Sequence, residues 1–359
     1  MHATTVAVDL AKSVFQLAIT QGESQSIQSL RLSRLQFERW FDNRSVGRVV
    51  MEACGSAHHW ARCLRERGID VQLLPPRYVR PYVQRNKTDA ADAAALLEAV
   101  RCADMVPVRI KSVEQQCLQS LHRMRSQWFA TRTARINGMR GCCREFGISL
   151  SEGARVGLEQ IGRLLADPQS AIPALVRLML QTTLEEVRLL EQRISELERQ
   201  LSDAAAQSPA CQQLLSIPGV GLMTATAMTA ATGGAVSHFK DARHFASWFG
   251  LTPKEHSSGG NRHLRRISKR GDRYLRMLLT HGARSLLRAA TVSQRCQRPL
   301  DPLRTWAVAV QFRTHRNKAV CALANKLARI CYATLRDGEG YNGIQTTRKT
   351  RRASYALAR

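Results

Sequence analysis

Four carboxylates in the first quarter of the chain have the residue types and spacing of a divalent-metal site. Asp9 and Glu52 each end an apolar run typical of a strand, and Asp89 and Asp92, three residues apart, share one face of a predicted helix. Hard cations such as Mg²⁺ take oxygen ligands and bridge phosphate oxygens. We therefore predict that these acids hold Mg²⁺ beside a phosphate. Two alternatives stay open: the helix acids favour the positive end of their own helix, and Glu52 pairs with an arginine.

A second candidate site is a polar loop further along the chain. The segment 254–260 reads KEHSSGG and places two adjacent hydroxyls, Ser257 and Ser258, among cations. A serine there could attack a phosphodiester while arginines stabilise the charge that develops on the phosphate. A Ser/Gly turn that only joins two helices explains the same residue types. No Ser-His-Asp order or G-x-S-x-G elbow is present, which argues against acyl hydrolysis.

Glycines and basic residues predict contacts with a phosphate backbone. The IPGVG turn at 217–221 joins two predicted helices and exposes N–H groups that can hold a phosphate, as in a helix-hairpin-helix motif. The alternative is a turn that only connects two helices and binds no phosphate. Between residues 254 and 276, eight Lys or Arg outnumber two acids, more than a solvated face usually needs. The residues predicted to bind nucleic acid are Lys87, Gly219, Gly221, Lys254, Arg262, Arg265, Arg266, Lys269, Arg270, Arg273 and Arg276.

The elements that must position the four acids form a small α/β domain. Two β-rich runs within residues 4–20, separated by a polar break, predict a hairpin. A buried strand at 46–54, a helix at 57–68 and a third short strand before two prolines give a β–β–α–β order, which indicates a mixed sheet. Thr88 is the predicted N-cap of a helix within 86–101 that carries Asp89 and Asp92.

Helical segments separate the acids from the serines. Residues 111–147 form a basic helical stretch, and an apolar heptad follows that predicts either a short coiled coil or an amphipathic helix packed within the protein. The heptad consists of Leu180, Thr183, Val187, Leu190, Ile194, Leu197 and Leu201. The predicted divisions are an α/β domain at 1–110, a helical linker with the coiled coil at 111–206, a mainly helical C-terminal domain at 207–340 and a basic tail at 341–359. We expect the tail to be disordered unless nucleic acid is bound.

Composition points to a polyanionic partner. The 54 Lys and Arg against 28 Asp and Glu give a formal net charge of +26, which favours nucleic acid through counterion release. No run of about 20 apolar residues is present, so we expect no membrane attachment. Ten cysteines without a C-x-x-C pair support neither a zinc site nor a disulfide framework. The N-terminus lacks the pattern of a signal peptide, and we expect a cytoplasmic protein.

Five segments together resemble one protein family, the DEDD-type transposases of bacterial insertion sequences in the family numbered one hundred and ten. They are VAVDLAKSVFQLAI, VVMEACGSAHHWA, RNKTDAADAAALLEA, SIPGVGLMTA and FASWFGLTPKEHSSGGNRHLRRISKRGDRYLRMLL. The wording around LPPRYVRPYV and YLRMLLTHGAR is similar to the subgroup of the eleven-hundred-and-eleven-type element. The resemblance spans most of residues 1–335.

The resemblance implies more than the residues show by themselves. It implies an RNase H-like N-terminal domain of the Holliday-junction-resolvase type, in which Asp9, Glu52, Asp89 and Asp92 bind Mg²⁺. It also implies a nucleophilic serine after the G-L-T-P motif, which points to Ser258, although Ser257 precedes it directly. The family joins this serine covalently to DNA, uses a structured guide RNA to choose its DNA, and works as a homo-oligomer with a composite site. We therefore expect double-stranded DNA, a guide RNA and further copies of the chain, as a dimer or tetramer, as partners at the bacterial nucleoid.

Two other functions remain open from the sequence. A junction-resolving nuclease would use only the four acids, with water as the nucleophile and Ser258 as part of a turn. An architectural nucleic-acid-binding protein would need only the basic stretches and the helix-hairpin-helix turn, and neutralising the acids would leave its function unchanged.

Overall fold

The computed structural model describes residues 4–21, 26–83 and 88–343. The chain forms two compact units, Met1–Val113 and Glu114–Arg359. The predicted helical linker and C-terminal domain both belong to the second unit. Lys87 and residues 344–359 of the predicted tail lie outside the described residues.

The first unit is an α/β domain built on one mixed sheet, as predicted. The sheet has the order β3-β2-β1-β4-β5; β1 pairs antiparallel with β2 and parallel with β4. This arrangement is consistent with the RNase H-like domain that the resemblance implies. The strands are β1 (Thr4–Leu10), β2 (Val14–Gln21), β3 (Gln28–Ser33), β4 (Arg48–Glu52) and β5 (Asp70–Leu74). The helices are α1 (Arg34–Trp40), α2 (Ala57–Glu66), α3 (Pro76–Val79) and α4 (Asp89–Val100), with a 3-10 turn at Arg80–Tyr82.

Each face of this sheet buries its own apolar cluster. On one face Phe15, Phe37 and Trp60 meet edge to face, with ring centroids 4.9 to 5.4 Å apart. On the other face the alanine-rich side of α4 packs against Ala7 and Val50. The small side chains allow α4 to approach the strands closely. Asp89 and Asp92, in the first turn of α4, are therefore carried by a helix that is packed firmly on the sheet.

The second unit is mainly helical. Its helices are α5 (Val113–Glu145), α6 (Ala154–Ala166), α7 (Ala174–Ala206), α8 (Pro209–Leu215), α9 (Leu222–Thr232), α10 (Ala242–Trp248), α11 (Arg273–Arg295), α12 (Pro302–Arg313) and α13 (Arg316–Asp337). The six helices from α8 through α13 share one apolar core, in which Leu279 and Leu323 are fully buried. Two strands, β6 (Pro253–Glu255) and β7 (Leu264–Ile267), form a separate antiparallel hairpin.

The heptad on α7 is buried within the second unit, in agreement with the alternative of an amphipathic helix packed within the protein. Leu180, Leu184 and Val187 pack in one cluster with residues of α5 and α6, and Leu184 takes the place predicted for Thr183. Ion pairs join α7 to α5 along its length: Arg125 to Glu198, Arg132 to Glu191, and Arg135 to Glu186. Residue numbers rise on one helix as they fall on the other, so the two helices are antiparallel. The partner of the stripe lies about 60 residues earlier in the same chain.

A buried histidine fastens α5 to the C-terminal helices. His122 is 4% exposed; its Nε2 lies 3.0 Å from Thr226 Oγ1 on α9, and its Nδ1 lies 3.0 Å from the Tyr274 hydroxyl on α11. Thr226 donates its own proton to the Leu222 carbonyl, so its oxygen can only accept from His122. The neutral ring therefore carries its proton on Nε2 and accepts at Nδ1 from Tyr274.

This contact makes stability depend on pH. Burial, and secondarily the charge of Arg125, lowers the pKa of His122 from 6.5 to about 4. Between pH 6.5 and pH 4 this histidine takes up a proton in the unfolded chain but not in the folded chain. Its contribution to the free energy of unfolding is therefore fully present above pH 6.5 and is lost as the pH falls towards 4, by about 3 kcal/mol in all. We expect His122→Gln to lower the thermal midpoint at pH 8. The difference in thermal midpoint between this variant and the wild type should become steadily smaller as the pH is lowered towards 5. Parallel pH profiles of the two proteins would contradict this.

Candidate functional site

Asp9 and Glu52 stand level with each other on neighbouring parallel strands, near the ends of β1 and β4. Ala7 and Val50, two residues earlier on the same strands, pack on the α4 side of the sheet. Side chains alternate between the faces of a strand, so both carboxylates project from the α4 side. Both residues are half-buried.

Asp89 and Asp92 occupy the first turn of α4, the helix that packs on this same face. Thr88 is the N-cap, as predicted, and its hydroxyl accepts the N–H of Ala91 at 3.2 Å. The donor set is the one that Mg²⁺ prefers, and its four members belong to one sheet face and the helix that covers it. Among residues 4–21, 26–83 and 88–343, however, no three His, Cys, Asp or Glu approach closely enough to hold a metal ion.

The serine loop is the end of the β6–β7 hairpin, and not an irregular link between helices. The N–H of His256 donates to the His263 carbonyl at 2.9 Å, which extends the ladder beyond β6. Ser258 and Asn261 then face each other across the tip, with N–H to O distances of 3.3 and 3.1 Å. Gly259 and Gly260 between them both have positive φ, 55° and 80°. A two-residue turn with two positive φ values matches the twist of antiparallel strands and favours Gly-Gly, Asn-Gly or Asp-Gly at these positions.

The two serines at this tip differ in their hydrogen bonding. Ser257 donates to Glu255 Oε1 at 2.8 Å and accepts the N–H of His263 at 3.3 Å. Glu255 also pairs with Arg262, whose Nε lies 3.3 Å from Oε1. The hydrogen bond from Ser257, and then that from Arg262, lowers the pKa of Glu255. Ser258 is exposed, and its hydroxyl has no hydrogen-bond partner in the described part of the chain.

Close backbone contacts hold the base of the hairpin. Gly250 has a φ of 68° and lies against the backbone of Arg270, where any Cβ would collide. Gly271, with a φ of 78°, lies in the same way against the Trp248 carbonyl. Arg276 on α11 donates to the Phe249 carbonyl at 2.8 Å and to the Arg270 carbonyl at 3.2 Å. The guanidinium of Arg276, predicted to bind DNA, thus supports the loop that carries the serines.

Six of the other predicted cations lie on the hairpin or directly after it in the chain. They are Lys254, Arg265, Arg266, Lys269, Arg270 and Arg273, all exposed. Arg262 is exposed too but pairs with Glu255. The arrangement presents a hydroxyl at the tip of a rigid hairpin with positive charge along both strands, which suits an anionic backbone.

The turn between α8 and α9 packs tightly on α11. Gly219 has a φ of 88°, and a Cβ on it would lie 3.2 Å from the Gly282 carbonyl oxygen. A Cβ on Gly282 would in turn collide with the Gly219 carbonyl. Gly221 is exposed and is the N-cap of α9, whose first N–H groups lack intrahelical acceptors. Two helices therefore flank the turn, while its role as a helix-hairpin-helix contact stays a prediction.

Sequence reasoning missed the pairing of Glu255 with Ser257 and Arg262. Pairing across a hairpin follows only once the register is known, and the available signal was the dipeptide Gly259-Gly260 between polar residues. It also missed the polar contact of His122, whose two partners lie 104 and 152 residues away in the chain.

No described helix is both long enough and apolar enough to cross a lipid bilayer. A family model of DEDD-type transposases matches residues 6–147, and one described as the transposase IS116/IS110/IS902 family matches residues 211–297. The two matched ranges contain the four acids and the serine hairpin, respectively.

Whole-length relatives agree with these matches. The chain is 40% identical over 336 residues to a probable family 20 transposase of Pseudomonas aeruginosa, covering 93% of this chain and 97% of the relative. It is 38% identical to the transposase for insertion sequence element IS1111A of Coxiella burnetii, covering 94% and 90%, and 35% identical to that for element IS1328 of Yersinia enterocolitica, covering 94% and 98%. With both of its candidate sites inside matched regions, the chain belongs to the IS110 family of insertion-sequence transposases.

Proposed function

We propose that this transposase excises and inserts its own element by Mg²⁺-dependent strand exchange through a covalent serine–DNA intermediate. The observation that carries the proposal is the display of an exposed, unengaged Ser258 hydroxyl at the tip of a rigid, cation-lined hairpin. Membership of a DNA-recombining family supplies the phosphodiester on which such a hydroxyl would act.

In the proposed reaction Ser258 Oγ attacks the scissile phosphorus. The new Oγ–P bond replaces a bond from phosphorus to a deoxyribose oxygen; the serine hydroxyl gives up its proton to solvent and the leaving oxygen takes one up from solvent, so the step consumes and releases no net proton. Arg265, Arg266 and Lys269 would hold the backbone and stabilise the added charge on the phosphate. Reversal of the step with a different DNA end as the attacking group rejoins the strand and restores the serine.

The four acids have a separate task in the proposal. Asp9, Glu52, Asp89 and Asp92 would hold Mg²⁺, which when bound would polarise phosphate oxygens and ease the departure of the leaving oxygen. The side of the sheet shared by Asp9 and Glu52, with the first turn of α4 on it, supports this assignment. The acids and Ser258 belong to different compact units, so a complete site needs both units, from one chain or from two.

Ser257 is the second candidate nucleophile because one contact favours it. Its proton already has an acceptor in Glu255, at 2.8 Å, which is the relation of a nucleophile to a base. Against it, Ser257 uses both its proton and its oxygen inside the hairpin, where it stabilises the strand pairing. We therefore assign the attack to Ser258 and a supporting role to Ser257.

Matched serine variants test the assignment. We expect Ser258→Ala to abolish both recombination and the protein–DNA adduct on denaturing gels, whereas Ser257→Ala keeps the adduct and loses at most about tenfold in rate, the effect of about 1.4 kcal/mol. Full-length protein, its copurified RNA and DNA bearing the element ends form the assay. An adduct that survives Ser258→Ala but not Ser257→Ala would move the nucleophile to Ser257. No adduct with active wild-type protein would favour a water nucleophile, as in a junction-resolving nuclease.

Neutralising the acids tests the metal site. We expect Asp9→Asn and Asp92→Asn each to reduce strand exchange in Mg²⁺ by at least about 100-fold, the loss typical of removing one stabilising group from a reacting phosphate. Asp104→Asn, an exposed acid of the same unit, serves as the control and is expected to keep full activity. Unchanged activity and unchanged Mn²⁺ binding in Asp9→Asn and Asp92→Asn would remove the metal site, and an architectural role would then gain support.

We further propose that a structured RNA chooses the DNA and that more than one copy of the chain takes part. The excess of positive charge supports a partner beyond one DNA duplex. The heptad of α7 does not supply the contact between copies, because it is buried against α5 and α6. We expect a discrete RNA encoded by the element to copurify with the protein and to survive washing at moderate salt. Sequencing the bound RNA checks this, and a random sample of cellular RNA would contradict it.

A further inference from the structure

A phenylalanine at the end of α12 is almost wholly in water. Phe312 is 95% exposed, whereas Phe129, the next most exposed phenylalanine among the described residues, is 47% exposed and is flanked by two arginine side chains. Leaving a phenylalanine in water forgoes a burial worth roughly 1.5 to 3 kcal/mol. The ring therefore contributes no packing to the described structure and is available to another molecule.

The segment that carries this ring is firmly held. Val310, two residues before it, is buried in the core of the second unit. Thr314 donates to the Val310 carbonyl at 2.8 Å, and His315 caps α13 by accepting the N–H of Asn317 at 3.2 Å. Phe312 thus stands at a fixed place in the last turn of α12, just before the short link to α13.

Cations, and no acids, follow Phe312 closely in the chain. Arg313, Arg316 and Lys318 are all exposed and lie within six residues of it. Residues 302–336 contain seven Lys or Arg and no Asp or Glu. A second copy that docked through this same surface would bring like charge against like charge. A polyanion is the complementary partner.

We propose that Phe312 stacks on an unpaired nucleobase while Arg313, Arg316 and Lys318 hold the adjacent phosphates. An exposed aromatic ring among cations combines the two contacts by which proteins grip single-stranded nucleic acid: stacking on the face of a base and attraction of the backbone. Stacking does not depend on base identity, because every base has a π-face. The surface lies outside the serine hairpin and the acid-bearing domain, and the inference needs neither of them to be catalytic. It requires only that the transposase meets unpaired bases in DNA or RNA.

Substitutions of Phe312 in the full-length protein test the stacking. Three probes carry a fluorescein label: a DNA strand of about 20 nucleotides, the same sequence as RNA, and the DNA paired with its complement. A strand of about this length is long enough to span one binding site. We expect Phe312→Ala and Phe312→Leu to weaken binding of the single strands about 5- to 150-fold and to leave the duplex within about twofold. Phe312→Trp should bind the strands as tightly as the wild type, with quenching of the added tryptophan fluorescence on binding.

Controls separate stacking from charge and from misfolding. Leu175→Ala removes another exposed apolar side chain, 80% exposed on α7, and should change nothing. Arg316→Ala should weaken all three probes and reduce the dependence of binding on salt by about one phosphate contact, which Phe312→Ala should not do. The thermal midpoint of Phe312→Ala should equal that of the wild type, because the ring is not buried.

Three results would overturn the inference. Wild-type affinity of Phe312→Ala for both single strands would exclude stacking, and recovery by Phe312→Leu would show a contact that does not need an aromatic ring. Equal losses on strand and duplex would show that unpaired bases are not recognised. If the loss is confined to RNA, the base comes from a guide RNA; if it is confined to DNA, the base comes from an opened DNA end.

Discussion

Backbone contact without intervening side chains fixes the hairpin that carries the serines. Gly250, before β6, lies so close to the backbone of Arg270 that any Cβ would collide with it. Gly271, after β7, lies equally close to the backbone of Trp248. Arg276 then fastens both segments to α11 through their carbonyl oxygens. A hydroxyl that must meet a phosphorus atom gains from such pre-positioning, because orientation accounts for a large part of the rate of a bimolecular reaction. The exposed tip can be polar and charged because the base provides its rigidity.

The distribution of acids in the second unit explains where its positive charge is left uncompensated. On α7, three glutamates pair with arginines of α5 and neutralise charge inside the helical pair. From residue 254 to residue 336 there are 19 Lys or Arg and three acids. All three acids have local partners: Glu255 within the hairpin, and Asp272 and Asp301 at the first turns of α11 and α12. The hairpin and the α12–α13 link are therefore left as the surfaces that an anionic backbone would meet.

The sequence predicted the elements that follow a strong local pattern and missed those that depend on distant partners. Apolar runs predicted β1, β2, β4 and β5, and Thr88 with the alanine-rich run predicted α4 and its first residue. Strand β3, with mostly exposed and weakly alternating residues, carried no such pattern. The β6–β7 hairpin contains few β-branched or apolar residues, so only its two glycines indicated a turn. The heptad of α7 was recognised, but the arginine-rich α5 gave no sign of being its partner.

Electrostatic repulsion is a physical reason for the four acids to share one face without forming a tight cluster. Two carboxylates at 4 Å in a partly solvated site repel each other by about 1 to 4 kcal/mol, and four would multiply that cost unless a cation balanced them. The fold distributes them accordingly, with Asp9 and Glu52 on adjacent strands and Asp89 and Asp92 in a helix turn whose N–H groups favour negative charge. Small side chains of α4 against β1 and β4 keep the two pairs on one face. The placement of the elements determines which acids share that face, and under the proposed function a bound cation and phosphate would supply the charge that lets them approach more closely.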